Sequence, residues 1–184
     1  MFALTPRLTL RPGWQEDAPA LARAIGHEAV VGKLKRAPWP YTLGDAEAFL
    51  AAPRGAHDPR FLICERGGDY RLIGGIGLRR ERHGDHELGY WLAQDVWGRG
   101  YATEAGRAVL AMARHALGIT RIVAHHHIDN PASGRVLRKL GFVEAGRGTL
   151  YSLARDAEVE CVQYTLTMGG ERDGNAGRVL SIAA

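Results

Sequence analysis

The run Glu87-Leu88-Gly89-Tyr90-Trp91-Leu92, followed closely by Val96-Trp97-Gly98-Arg99-Gly100-Tyr101-Ala102-Thr103-Glu104-Ala105, constrains this chain more than any other stretch. Its residues pass from a strand pattern through a glycine-rich turn into a helix pattern. Apolar or small residues recur at helical spacing at Ala102, Ala105, Val109, Met112, Ala113 and Ala116, and Gly118 is placed to end the helix. None of residues 98 to 101 is Ser, Thr, Asp or Asn, so the first backbone N–H groups of that helix have no side-chain acceptor beside them. Two readings follow. Water completes a tight strand-to-helix turn, or an anion does so. The anion reading draws on glycines that let the backbone approach a ligand, on the positive end of the helix dipole, and on the charge of Arg99.

A chain of 184 residues fits one domain with its own core. Residues 1 to 168 carry the element patterns, and the glycine-rich stretch from 169 to 184 reads as a flexible tail. Cys64 and Cys161 stand far apart in apolar strand-like runs, which predicts buried free thiols rather than a disulfide framework. No apolar run reaches membrane-spanning length and the N-terminus has no signal-like apolar core, so a cytoplasmic protein with no membrane role is expected. Basic residues number 24 against 20 acidic, for a net charge of +4. They are scattered rather than blocked, which argues against a primary nucleic-acid role and suits attraction of small anions.

In chain order, the patterns predict strands over 4–11, 60–65, 70–80 and 85–93, then the central helix, then strands over 121–128, 142–145 and 158–168. A helix is expected from about Trp14 to Ile25. A second, holding Ala46, Phe49 and Leu50, has Thr42 or Asp45 as its cap, and a third opens at Asn130-Pro131 and stops at Gly141. The loop Pro38-Trp39-Pro40-Tyr41 presents two aromatic side chains that either pack on the body or wall a substrate pocket.

Several catalytic patterns are excluded. Thr103 stands where a dinucleotide-binding turn needs its third glycine, no Gly-Lys-Ser/Thr follows a glycine loop, and no Gly-x-Ser-x-Gly elbow is present. In His125-His126-His127 only the outer two share a strand face, and with no third ligand in view no metal is expected. His126 then faces the other way, as a rim histidine or a minor substrate contact. Glu87 stands in an apolar strand on one face with Gly89 and Trp91. It is either a solvated edge residue or a partly desolvated base with a raised pKa.

Trp97-Gly98-Arg99-Gly100-Tyr101-Ala102 resembles the acyl-CoA pyrophosphate loop of the GNAT superfamily of N-acyltransferases, with Trp97 where the general motif has Gln or Arg. Asn130-Pro131-Ala132-Ser133 continuing to Arg138-Lys139-Leu140-Gly141-Phe142 resembles its second signature. Leu8-Thr9-Leu10-Arg11-Pro12, Pro38-Trp39-Pro40-Tyr41-Thr42 and Gly89-Tyr90-Trp91-Leu92 are similar to the ribosomal-protein N-terminal acetyltransferase branch. The resemblance spans residues 4 to 168 and implies an α/β (α+β) fold. Its mixed, mostly antiparallel sheet of about seven strands carries helices on both faces and splays between the fourth and fifth strands.

The resemblance also implies acetyl-CoA as co-substrate, with no metal. Backbone groups near Trp91 and Leu92 would meet pantetheine, and residues 98 to 102 would hold the pyrophosphate. Asn130 and Ser133 would approach from the other side, although helix capping accounts for both without a ligand. Glu87 would take the proton of the attacking amine, directly or through water, and Ser133 would assist the departing thiolate. Trp39, Tyr41 and His126 are the candidate acceptor contacts. The acceptor would be a primary amine, a ribosomal or other protein N-terminus among the choices, with the chain a monomer or homodimer. A non-catalytic acyl-CoA-binding domain, a polyamine or antibiotic acetyltransferase, and an RNA-binding protein are the rival readings.

Overall fold

The computed structural model describes residues 2–169 except 54, 56, 57, 69, 82 and 83, so the expected tail lies almost wholly outside the described residues. Among the described residues eight strands form one sheet in the order β1-β2-β3-β4-β5-β6-β8-β7. They are β1 Ala3–Leu4, β2 Leu8–Arg11, β3 Arg60–Glu65, β4 Leu72–Arg80, β5 His86–Leu92, β6 Arg121–His127, β7 Val143–Ser152 and β8 Ala157–Thr167. All neighbours are antiparallel except β5 and β6. The helices are α1 Ala18–Ile25, α2 Glu28–Val31, α3 Leu43–Ala51, α4 Tyr101–His115 and α5 Pro131–Lys139.

Eight strands appear rather than seven because the first expected strand is broken. Pro6 cannot donate to a ladder. The chain turns there, with Thr5 N–H donating to the Leu8 carbonyl at 2.9 Å and Leu8 N–H donating to Thr5 Oγ1 at 3.0 Å. The strand expected over 142–145 instead continues to Ser152, with a bulge between Glu144 and Gly146 and with Gly148 paired in register with Cys161. The short helix α2 carries no sequence signal strong enough to announce it. At α3 the two cap candidates act together: Thr42 accepts from the Asp45 N–H while the Asp45 carboxylate accepts from the Thr42 N–H at 2.8 Å.

Period-two alternation sorts the sheet into two apolar faces. Leu8, Leu10, Phe61, Ile63, Ile73, Leu88 and Leu92 pack with Ala105 and Val109 of α4 and Leu137 of α5. Leu62 and Leu72 face the other way, against Ala18 and Leu21 of α1 and Ala46 and Leu50 of α3, with Trp91 at the margin. Cys64 and Cys161 are buried free thiols.

Gly74 fixes how closely β4 approaches β5. A Cβ there would sit 2.4 Å from the Trp91 carbonyl oxygen and 3.3 Å from the Leu92 Cα, both backbone atoms that cannot rotate away. Gly74→Ala is therefore expected to destabilise the fold by about 1–3 kcal/mol, as overpacking in a tight core does. Urea unfolding of the purified variant against wild type checks this.

Candidate active site

The parallel pairing of β5 with β6 holds for two rungs, His86 with Ile122 and Glu87 with Val123. Beyond them the strands part while β5 stays paired with β4 as far as Leu92. The splay falls at the expected place in the chain, between the fifth and sixth strands of the actual count. It leaves one backbone edge of β5 open toward the gap. The Trp91 carbonyl faces Gly74 of β4. Carbonyl directions alternate along a strand, so Leu92 and Tyr90 turn their backbone groups to the gap. The Leu92 carbonyl there accepts a 2.8 Å hydrogen bond from the Trp97 indole Nε1. Trp91, expected to offer backbone groups to the gap, instead pairs with β4, and its ring packs against the α1–α3 side.

At the far end of this open edge stands the start of α4. Gly98 and Gly100 have φ of 78° and 81°, a region costly for any residue with a Cβ, and a Cβ on Gly98 would meet nothing within 4 Å. The cap, Gly100, makes no side-chain hydrogen bond to the helix. The helix start therefore presents backbone N–H groups beside open space, which fits a bound anion. Ala102 is buried against the core. Tyr101 is buried too, and its hydroxyl donates to Glu65 of β3. Arg7, to which no sequence pattern pointed, buttresses the turn. Its guanidinium lies 4.5 Å from the Tyr101 ring centroid and donates to the Arg99 carbonyl at 3.0 Å. It also donates from Nε to Glu104 of α4 at 2.7 Å.

The two faces of the sheet carry different chemistry at the gap. On the α4–α5 face, the Tyr90 hydroxyl and Ser133 Oγ share a 2.7 Å hydrogen bond. Burial pushes the Tyr90 phenol up to about 12, against the opposing effect of that bond, so it keeps its proton at neutral pH. Asn130 caps α5, its Oδ1 accepting from the Ser133 N–H at 3.4 Å. His126 is also on this face, buried rather than on a rim. Its Nδ1 donates to the His127 carbonyl at 2.8 Å, its ring packs on Tyr164, and its Nε2 is the atom closest to where a Cβ on Gly134 would lie.

On the opposite face Glu87 is neither of the two carboxylates expected from sequence. It is buried, not solvated, and its pKa is lowered, not raised. Burial alone would push it up, but the hydrogen bond from His125 and the charge and hydrogen bond of Arg36 outweigh burial, holding Glu87 well below the usual carboxylate range. Arg36 Nη2 lies 2.7 Å from Glu87 Oε2 and 2.9 Å from Glu81 Oε1. His125 Nδ1 lies 3.3 Å from Glu87 Oε1. The segment that supplies Arg36 is tied down by β7 and the turn after it: Ser152 Oγ donates to the Leu34 carbonyl at 3.2 Å, and Leu153 N–H donates to Lys35 at 3.1 Å. Beside it a cleft of about 430 Å³ is lined by Glu28, Gly32, Lys33, Trp39, Ala154 and Arg155. Trp39 is exposed at this cleft, whereas Tyr41 is half-buried against the body and its phenol is pushed up to about 12 by burial. The paired aromatic residues thus differ in burial, Trp39 lining the cleft and Tyr41 packing on the body.

Among the described residues no group of three or more His, Cys, Asp or Glu side chains is arranged to hold a metal, and no helix is long and apolar enough to cross a membrane.

Residues 7–143 match the family model described as an acetyltransferase (GNAT) domain. The chain belongs to the GNAT acetyltransferase family. It is 31% identical over 147 residues to an uncharacterized N-acetyltransferase, YoaA, of Bacillus subtilis, covering 77% of this chain and 82% of YoaA. Among solved structures, a GNAT-family acetyltransferase from Bacillus anthracis superposes with a TM-score of 0.78 at 23% identity, over 91% of this chain and 98% of that one. RimL, a ribosomal L7/L12 alpha-N-protein acetyltransferase solved in complex with coenzyme A, superposes with a TM-score of 0.76 at 18% identity, over 91% and 98%. The mixed, mostly antiparallel splayed sheet with helices on both faces is thus the fold of this GNAT chain.

Proposed function

We propose that this GNAT protein moves the acetyl group of acetyl-CoA to a primary amine by direct attack in a ternary complex, and that the amine is the α-amine of a protein N-terminus. The observation that carries the reading is the end of the β5–β6 ladder at Glu87 and Val123. It opens a gap with a hydroxyl pair on one face, a carboxylate on the other, and a bare helix start at its end.

The residues fit the donor. Amides of residues 98 to 102, with Arg99 adding charge, suit the pyrophosphate, and the Leu92 N–H suits an amide of the pantetheine or the oxyanion formed on attack. Ser133 and Tyr90 suit the departing sulfur, Ser133 as hydrogen-bond donor and Tyr90 as a phenol that stays protonated. On the other face the buried Glu87 carboxylate draws the amine to the gap, and the amine gives up its proton on that side. The Trp39 cleft on that side is the entrance for the rest of the acceptor. An α-amine has a pKa of about 8 against about 10.4 for a lysine side chain, so more of it is neutral and able to attack at physiological pH. RimL, of like fold, acts on such a terminus by its description.

A free-thiol release assay with acetyl-CoA and a panel of amines tests this. Peptides with free α-amines should saturate the enzyme, while lysine side chains and polyamines should react at least about tenfold more slowly, in line with their more basic amines. Faster turnover of a polyamine or an aminoglycoside would move the acceptor to that class. Ser133→Ala is expected to lower kcat by about tenfold while leaving the KM for acetyl-CoA within about twofold, as loss of one hydrogen bond made mainly in the transition state does. An unchanged kcat would leave Ser133 as a helix residue alone.

A further inference from the structure

We infer that His125 is the group that receives the proton of the attacking amine, and that Glu87 acts as its positioning residue; the inference rests on the acetyl-transfer reading above. β5 and β6 part after the rung joining Glu87 to Val123. His125 is the next residue of β6 on the same face as Val123, so it is the first side chain past the end of the ladder on Glu87's side of the sheet. Its Nδ1 lies 3.3 Å from Glu87 Oε1, and its side chain is 24% exposed where that of Glu87 is 9% exposed. An ionised carboxylate can only accept, so Nδ1 must carry the hydrogen. In a neutral imidazole that leaves the lone pair on Nε2, which has no hydrogen-bond partner among the described residues.

Glu87 itself is poorly suited to keep a proton. Its Oε2 is in an ion pair with Arg36, which also holds Glu81, and its Oε1 faces His125. A carboxylate locked in this way stays charged, which makes it a fixed orienting group rather than a base. The charged and titratable groups near His125 are Glu87 from β5, with Arg36 from the loop after α2 and Glu81 from the end of β4 behind it. Its cross-strand partner on β8, Gln163, is uncharged. The neighbouring histidines cannot take the role. His126 is buried under α5 on the other face, and His127 is buried at 2% exposure with both ring nitrogens lacking a protein hydrogen bond among the described residues.

An imidazole nitrogen with its lone pair directed at the gap is the group that most often acts as a general base. The amine nitrogen bonds to the acetyl carbon, its proton passes to His125 Nε2, and the carbon–sulfur bond breaks. The departing sulfur takes a proton from the Ser133–Tyr90 pair. That pair is reprotonated through solvent as His125 gives its proton up, leaving an amide and a free thiol.

The test uses the full chain, CoA, and the fastest amine found in the panel. His125→Gln should lower kcat by about 10²- to 10⁴-fold, the usual contribution of a general base. Affinity for CoA by calorimetry should stay within about threefold, because His125 makes no contact with the helix start. Free imidazole added to His125→Ala should restore part of the lost rate, and should not do so in Glu87→Ala, whose histidine is still in place. Nitrogen-15 NMR of the wild type without any amine should show the His125 hydrogen on Nδ1 and a lone pair on Nε2. A wild type that turns over while His125→Gln keeps kcat within about threefold overturns this inference and leaves the acetyl-transfer reading standing. So does loss without imidazole rescue in a variant that binds CoA normally, or a hydrogen found on Nε2. A wild type silent with every amine overturns both.

Discussion

Glu87→Gln is expected to lower kcat by about 10²-fold or more, with the KM for acetyl-CoA changed by less than about twofold. The charge that Glu87 carries holds Arg36 on one oxygen and His125 on the other, and an amide cannot do both. Oriented as acceptor to His125, the amide turns its NH₂ toward Arg36, a donor facing a donor. Flipped, it fails His125. The same change alters the acid stability of the fold. The Glu87 pKa is lower folded than unfolded, so its contribution to stability is fully present above the unfolded value of about 4.3 and is lost as pH falls below it. Wild type should lose stability on acidification below about pH 4 more steeply than Glu87→Gln, which has no such group to protonate. Urea midpoints for the two proteins between about pH 3 and 7 check this, and steady-state kinetics at neutral pH check the first part. Equal kcat in the two proteins would remove Glu87 from the chemistry.

Gly100→Val should weaken CoA binding by about 10- to 100-fold without unfolding the chain. At φ 81° a β-branched residue is strained, and the turn relaxes away from the shape that aims its amides outward. Restoring that shape on binding costs about 1–3 kcal/mol, which is the stated range in affinity. Space is not the obstacle, since the nearest atom to a new Cβ is Arg7 Nη2 at 3.6 Å. The variant thus separates backbone conformation from crowding. Calorimetric titration with CoA measures it, and an affinity equal to wild type would mean that the anion is held elsewhere.

What the sequence disclosed and what it concealed differ by the range of the contacts involved. The glycine turn was legible because its signal is local: two glycines, a missing cap and a helical period follow one another directly. Glu87 was legible as a position, through strand alternation, but not as a chemical state. Its state is set by Arg36, 51 residues away, and His125, 38 residues away, and no periodicity relates residues so far apart. The same holds for Tyr90 with Ser133 across 43 residues and for Arg7 with Glu104 across 97. His125 was read only as a poor metal ligand, because its carboxylate partner becomes visible once β6 lies beside β5. In the fold, the extra strand at Pro6 was readable in principle from the missing N–H, whereas the continuation of β7 through Gly146 depends on a bulge that only pairing with β8 reveals.

The central claim is that donor and acceptor meet in the gap between β5 and β6. A crystal structure of the wild-type chain with CoA addresses it most directly. That structure is expected to show a pyrophosphate on the amides of residues 98 to 102, pantetheine along the edge of β5 opposite β4, and a thiol between the Tyr90–Ser133 pair and the Glu87–His125 pair. CoA lodged in another groove, or a pantetheine arm leading away from that gap, would contradict it.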